Sequence, residues 1–207
     1  MAAPSYPLTM PTNVNFRTSN WALQRTVAIT RSPFTYQQTV HEYEGTQWTA
    51  TLTLPPLNRE QASEWQVFLT QLHGTKGTFL MPEPDSKTPR GSVTNTIQVN
   101  GAHAVGAFDI TIFNGDASTN LLKKGDFIQL GSAATAKLYM VTADTAADVN
   151  GAATIPIEPS LKTALSGDET VVYTNPMGVF RLSQNEIAWN ASEVSIYGIS
   201  FAVEEAL

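Results

Sequence analysis

The chain has 207 residues and a formal net charge of -6, from 18 acidic and 12 basic side chains. Only 14% of its residues are charged, against about 25% in an average globular protein. Threonine is the commonest residue, with 26 copies, and its β-branched side chain favours strands. The composition predicts a weakly charged, mainly β protein of one or two domains.

Missing residue types and patterns exclude several function classes. The chain has no cysteine, which rules out a disulfide framework, a zinc knuckle, an iron–sulfur site and a thiol nucleophile. Its apolar runs are too short for a transmembrane helix, and residues 1–7 lack the basic and apolar regions of a signal peptide. The one adjacent basic pair, Lys123 and Lys124, is too little for a nucleic-acid binder. We therefore expect no membrane span, no export by the general secretory route and no specific DNA binding.

Two shifts in composition divide the chain. All four tryptophans lie outside residues 91–175, whereas this segment holds 13 of the 23 alanines and 8 of the 13 glycines. A polar stretch with three prolines, residues 81–91, precedes the segment and is typical of a linker. We predict a discontinuous outer domain, residues 1–90 and 176–207, and an inserted domain, residues 91–175. The alternative is one continuous β domain with a long excursion.

In the outer domain, strands are predicted at residues 26–30 and 34–43, joined near residues 31–33. Residues 47–54 alternate strictly between apolar and polar side chains, which is the pattern of a half-buried antiparallel strand. Further strands are expected at residues 78–81, 179–182 and 192–203. The last of these must change face near Gly198, which predicts a bulge there.

One helix is predicted in the outer domain. Asn58 is a good N-cap, and Gln61 stands where its side chain can complete a capping box. Gly74 is the predicted stop. Apolar residues at three- and four-residue spacing form one stripe that should pack on a sheet: Ala62, Trp65, Phe68, Leu69 and Leu72.

The inserted domain contains short, evenly spaced strands. Asn-Gly pairs at residues 100, 114 and 150 are turn signals that separate them. This spacing predicts a small barrel, OB-like or SH3-like. The expected strands are residues 93–99, 108–112, 126–130, 138–141, 154–157 and 169–173.

Two polar clusters have residue types that occur in chemical sites. His41, Glu42 and Glu44 could bind a metal or act in acid–base chemistry, but on a strand His41 points away from the two carboxylates, so a solvated or interface strand edge is favoured. Residues 148–151 faintly resemble a calcium loop, but Ala146 and Ile157 stand where acidic ligands would be needed, which favours a hairpin turn.

The remaining candidates are weaker. Residues 101–106 lack the Lys-Ser/Thr of a phosphate loop. Trp21, Trp48 and Trp189 could line a sugar-binding face, although strand tryptophans more often belong to a core or a subunit interface. We predict no catalytic, cofactor-binding or metal-binding residues and no enzymatic activity, and the interface residues stay unknown at this stage.

Several segments in combination resemble one family. Residues 48–57, WTATLTLPPL, precede the capped helix with Trp65, and further segments of the family pattern follow at residues 77–79, 88–91, 125–128, 139–144, 153–155, 157–159 and 203–207. Together they resemble the distal tail proteins of long-tailed bacteriophages and prophages, over nearly the whole chain. These motifs are structural rather than catalytic.

The resemblance implies a ring-forming adaptor at the tail tip. Residues 1–90 and 176–207 would be a tail-tube-like β domain that assembles as a hexamer, and residues 91–175 a peripheral small barrel. The expected partners are other copies of the chain, the tail tube protein, the hub or central fibre protein, and possible side-fibre or receptor-binding proteins. DNA would pass through the lumen without specific binding, and the protein would be found in the virion after assembly in the host cytoplasm.

Two other functions are kept as alternatives. The inserted domain could be a host-recognition module that binds a cell-surface carbohydrate, alone or together with the ring role. The chain could also be a different minor tail or tube-tip ring protein.

Overall fold

The computed structural model describes residues 4–191 and 196–207, and in them the protein is mainly β with one α-helix, as the sequence predicts. The elements in chain order are β1 (Leu8–Thr9), β2 (Thr18–Arg31), β3 (Gln38–Thr53), α1 (Arg59–Gln71), β4 (Thr78–Pro82), β5 (Gln98–Val99), β6 (Asp109–Phe113), β7 (Phe127–Leu130), β8 (Lys137–Val141), β9 (Ala153–Glu158), β10 (Met177–Leu182), β11 (Trp189–Ala191) and β12 (Tyr197–Glu205).

Two sheets divide these strands. The first has seven strands in the order β1-β4-β10-β12-β3-β2, with β11 paired to β12 off this path, and the second has five in the order β5-β6-β9-β8-β7. The strands segregate at the boundaries expected from composition, because the second sheet uses only residues between 98 and 158. The division into two independently folding domains stays a prediction.

The first sheet packs against α1 around one apolar cluster. Leu52 and Phe79 of the sheet and Trp65 of the helix are fully buried in it. Phe127 and Leu138 of the second sheet belong to the same cluster, so the two sheets share part of one core. A second cluster, which includes Ile110, fills the interior of the second sheet.

The helix forms as its sequence predicts but ends differently. The capping box is present in full: Gln61 N donates to Asn58 Oδ1 at 2.9 Å, and Asn58 N donates to Gln61 Oε1 at 3.2 Å. The predicted stop, Gly74, is not the first left-handed residue. The chain turns one residue earlier, at His73 with φ 53°, and Gly74 continues the turn with φ 70°.

The strands at the front of the chain are longer than predicted. The apolar face of residues 47–54 is buried as expected, but this stretch is only the end of the 16-residue strand β3. The predicted strand at residues 26–30 is the end of the 14-residue strand β2. The predicted strand at 34–43 was placed too early, because residues 32–37 form the turn between β2 and β3.

The pairing of β12 with β11 shows no bulge at Gly198. Gly198 lies opposite Asn190 in an unbroken register, and Ile199, Val203 and Glu205 lie on one buried face of β12. The regular pairing of β12 with β3 begins only at Ser200. Gly198 instead permits a close approach, because a Cβ atom there would lie 2.5 Å from Asn190 Oδ1. Residues 192–195 of the predicted strand lie outside the described part of the chain.

The second sheet is a curled half-barrel, and four of the six predicted strands match β6 to β9. The first predicted strand shrinks to Gln98–Val99. The last one, residues 169–173, forms only bridges, but it connects the two edges of the sheet: Val99 N donates to Glu169 O at 2.9 Å, and Gln129 N donates to Val172 O at 2.7 Å. Tertiary contact across the curl therefore replaces a regular strand.

Candidate interaction surface

The most exposed feature of the fold is a long two-stranded arm, residues 25–46. β2 and β3 stay paired from Thr18 opposite Thr53 to Arg31 opposite Gln38, whereas β12 accompanies β3 only from Thr49 to Thr53. From Arg25 to Arg31 the arm extends about 20 Å beyond the rest of the sheet. Nearly all of its residues are exposed.

One face of the arm carries three apolar side chains and is called the apolar face here; Glu42, opposite Val27, and Arg31 lie on the same face. Ile29 lies opposite Val40, and Val27 is two positions along the same face. The exposed fractions of these three residues are 62%, 58% and 45%. The opposite face carries Ala28, Thr30 and their partners. Ile29 and Val40 are a directly opposed cross-strand pair, so exposed β-branched aliphatic side chains lie side by side on this face and are available to a protein partner.

The tip of the arm is well defined and carries aromatic side chains. Tyr36 N donates to Ser32 O at 3.0 Å, and Ser32 N donates to Gln37 O at 2.9 Å. The Arg31 guanidinium lies 4.5 Å from the centre of the Tyr36 ring, a cation–π contact. Phe34 is 92% exposed. The turn therefore presents an ordered aromatic surface rather than a loose loop.

The base of the arm is fixed by a bulge and by ion pairs. The register of β2 and β3 shifts between Arg25 and Val27, which increases the local twist. Arg25 Nη1 lies 3.4 Å from Glu42 Oε1, and Arg25 Nη2 lies 2.8 Å from Glu158 Oε2 on β9. The second contact is an ion pair without hydrogen-bond alignment. It connects the base of the arm to the second sheet.

The outer edge of β2 is the second part of this surface. β2 pairs with β3 on one side, and among residues 4–191 and 196–207 no strand pairs with its other side. An exposed strand edge of this length presents a row of backbone donors and acceptors to a partner strand. The arm and this edge together are the candidate interaction surface.

The polar cluster at residues 41–44 lies within the arm. His41 is opposite Ala28 and Glu42 is opposite Val27, so their side chains point to different faces, as predicted. Within the described ranges, no group of three or more His, Asp or Glu side chains could hold a metal ion. In the same ranges, no helix is long and apolar enough to cross a membrane.

The other predicted candidates have structural roles. Asp148 Oδ1 accepts from Asn150 N at 2.8 Å and from Ala152 N at 2.9 Å, which confirms the hairpin turn at residues 148–151. The three tryptophans do not share a sugar-binding face. Trp48 is buried and packs edge-to-face with half-buried Trp21, whereas Trp189 is exposed on β11.

Sequence reasoning did not identify the arm as one unit. The sequence analysis predicts separate strands at residues 26–30, 34–43 and 47–54, whereas the structure joins the last two in the single strand β3. A Cβ atom at Gly45 would lie 3.2 Å from Thr26 Oγ1, so the glycine allows close pairing at the bulge. The sequence pattern that could have predicted the arm is the run of Val, Ile and Thr on both sides of the turn at residues 32–37.

No model of a protein family matches this chain, and no curated protein matches it significantly.

Proposed function

We propose that this protein is a structural subunit of a bacteriophage tail tip, a distal tail protein without enzymatic activity. In this role it forms a ring, hexameric by analogy with the family it resembles, that joins the tail tube to the hub or central fibre protein. The observation that carries the proposal is the long exposed arm with its apolar face.

The geometry of the arm suits a ring. An arm that extends about 20 Å from one protomer can reach a neighbouring protomer and contact a part of its surface other than the arm. Such a heterologous contact, repeated with a fixed rotation, closes into a cyclic assembly. The unpaired edge of β2 offers backbone groups for the same neighbour.

The charge of the chain is compatible with passage of DNA through a ring. The net charge is -6, and acidic side chains facing a lumen repel phosphate groups. The low fraction of charged residues also suits a surface that other subunits cover, because charged side chains are depleted at the centres of interfaces.

Carbohydrate binding by the inserted segment is the second candidate function. A surface depression of about 480 Å³ lies in the turns beside the second sheet. Four amide or hydroxyl side chains, one valine and two glycines line it, with no charged residue among them: Asn95, Thr96, Asn114, Gly115, Val149, Asn150 and Gly151. A neutral polar lining fits a neutral glycan. Binding on a glycan array that the Asn95→Ala, Thr96→Ala double variant removes would support this function.

Ring formation is tested with the full chain by electron microscopy and native mass spectrometry, with and without tail tube protein as a template. We expect a six-membered ring on the template. Replacing Val27, Ile29 and Val40 together by Thr should abolish it, because the apolar face is lost while strand propensity is kept. A matched control on the opposite face, Thr30→Ser with Thr39→Ser, should still assemble.

Two results would overturn this proposal. One is a chain that stays monomeric with and without the tube protein and is absent from purified virions. The other is normal ring assembly by the triple Thr variant, which would show that the arm is not the subunit contact.

A further inference from the structure

The last residues of the chain contain a buried carboxylate that contacts both sheets. Glu205 ends β12, opposite Phe180 of β10, and its side chain is fully buried. Glu205 Oε2 accepts from the backbone N–H of Trp48 at 3.1 Å and forms an ion pair with Lys162 Nζ. Trp48 belongs to the first sheet, whereas Lys162 belongs to the loop that follows β9. A single carboxylate therefore joins the two halves of the molecule.

The loop that carries Lys162 is itself held in place. Lys162 N donates to the Tyr139 hydroxyl at 3.1 Å, and Tyr139 is 1% exposed. The Lys162 side chain is only 11% exposed. Burial lowers the pKa of Lys162, and the Glu205 carboxylate opposes this shift. The pair is therefore largely removed from water, where breaking it by loss of one partner is costly.

Strand β8 adds two contacts beside the carboxylate. Lys137 Nζ donates to Ala206 O at 2.5 Å, and Trp48 Nε1 donates to Leu138 O at 3.0 Å. Together with Tyr139, three consecutive residues of β8 take part. We name Lys137, Lys162, Glu205 and Ala206 the C-terminal latch.

The position of the latch matters because the covalent connections lie close together. The chain enters and leaves the inserted segment side by side, since Asn175 N donates to Lys87 O at 2.6 Å. The shared apolar core at Phe127 and Leu138 also holds the second sheet against the first. The latch lies opposite Phe180, about 10 Å along β10 from Met177, and adds a directional polar attachment to this apolar contact.

We propose that the C-terminal latch fixes the orientation of the inserted segment on the seven-stranded sheet, so that the two sheets move as one body. This device does not depend on the ring or on the proposed function. It assigns a role to the end of β12 beyond sheet pairing. It also predicts that one neutralised carboxylate releases the second sheet without unfolding the first.

The test is amide-resolved hydrogen exchange by NMR on the full chain. In Glu205→Gln, we expect the amides of Lys162 and of β8 to exchange about a hundredfold faster, because Lys162 keeps a buried charge without its partner. The amides of α1 should keep their protection. The matched control is Glu204→Gln, the neighbouring residue on the opposite face of β12, which should change neither set.

A double-mutant cycle keeps the proposal falsifiable if one variant folds poorly. Lys162→Met should mobilise the second sheet as Glu205→Gln does, and the Lys162→Met, Glu205→Gln double variant should recover most of the protection, because no unpaired charge is left. The proposal is wrong if the amide of Lys162 exchanges at the same rate in Glu205→Gln as in Glu204→Gln. It is also wrong if Glu205→Gln accelerates exchange in α1 as much as at Lys162, since the carboxylate would then support the whole fold.

Discussion

The arm and the inserted segment use similar residues to opposite effect. Both are rich in β-branched side chains and poor in charge, but almost every arm residue is exposed, whereas the second sheet encloses its own core. The arm depends on the pairing of β2 with β3, and an isolated two-stranded hairpin is marginally stable in water. The inserted segment is held by carboxylates that accept backbone N–H groups in its turns. The difference shows that strand composition does not decide burial; the connections around the strands do.

The largest expected effect tests how the inserted segment is anchored. Asp126 is 3% exposed and accepts from Arg90 N at 3.0 Å, Lys123 N at 2.9 Å and Gly91 N at 3.3 Å. Asp126→Ala should lower the free energy of unfolding by about 3 to 5 kcal/mol, since three partly buried backbone N–H groups lose the buried carboxylate that accepts from them. Urea unfolding measures this loss. Asp144→Ala is the matched control. Within residues 4–191 and 196–207, exposed Asp144 accepts one hydrogen bond, from Lys124 N, and a loss of about 1 kcal/mol is expected. Equal losses would contradict the anchoring role.

The second-largest effect is expected at alkaline pH, which should lower the free energy of unfolding through Tyr139 of the inserted segment. Burial raises the pKa of Tyr139 to about 12 from 10.0. In the unfolded chain this phenol ionises near its ordinary pKa, so the stabilisation is complete below pH 10 and is lost as the pH rises towards 12. The loss amounts to about 2 to 3 kcal/mol. Tyr139→Phe should reduce this pH dependence in urea unfolding at pH 9 and 11; an unchanged slope would exclude Tyr139 as its source.

Acid should act on the same region through its turn carboxylates. Hydrogen bonds from Thr94 N and Asn95 N lower the pKa of Asp116, and those from Ala152 N and Asn150 N lower the pKa of Asp148. Stability from a lowered carboxyl pKa is present above the ordinary value near 3.8 and is lost as pH falls through the folded value.

We expect the second sheet to lose its hydrogen-exchange protection at higher pH than α1 does during acid titration. Asp116→Asn together with Asp148→Asn should reduce the difference in pH at which the second sheet and α1 lose protection, because these two titrating carboxylates are absent. Simultaneous loss of protection in both regions of the wild-type chain would break the comparison.

The smallest effect on stability is expected in the arm. Ile29→Thr removes an apolar side chain that is already 62% exposed, so the free energy of unfolding should change by about 0.5 kcal/mol or less. The same variant should reduce self-association measured by sedimentation velocity, because the apolar face is weakened. Leu52→Ala, in the buried end of β3, is the contrast and should cost about 2 to 5 kcal/mol. A stability loss at Ile29 as large as at Leu52 would show that the arm packs on its own chain.

Local patterns in the sequence predicted the elements whose signals are complete within a few residues. The capping box of Asn58 and Gln61 and the alternation of residues 47–54 each carry their own physical reason, and both were confirmed. The sequence could not predict that β2 and β3 extend beyond the other strands of the sheet, because the same Thr, Val and Ile residues fit buried and exposed strands equally well. The arm, and with it the candidate interaction surface, was therefore missed as a unit.

Features that depend on contacts between distant residues could not be predicted from the sequence either. Gly198 suggested a bulge, but its role is set by Asn190 on another strand. Residues 169–173 have a strand pattern, yet they close the curl of the second sheet through isolated bridges. In each case the deciding contact comes from a residue far away in the chain, which local periodicity does not report.

The sequence by itself determined the mainly β class, the capped helix and the turns, because propensity, capping and glycine conformation act over a few residues. Its low charge and abundant threonine also predicted a weakly charged chain rich in strands. Only the tertiary structure decided which strands leave the core as an arm and which single carboxylate, Glu205, meets Lys162 across the two sheets. Burial and ion pairing depend on how distant segments pack, so they become visible only once the chain is folded.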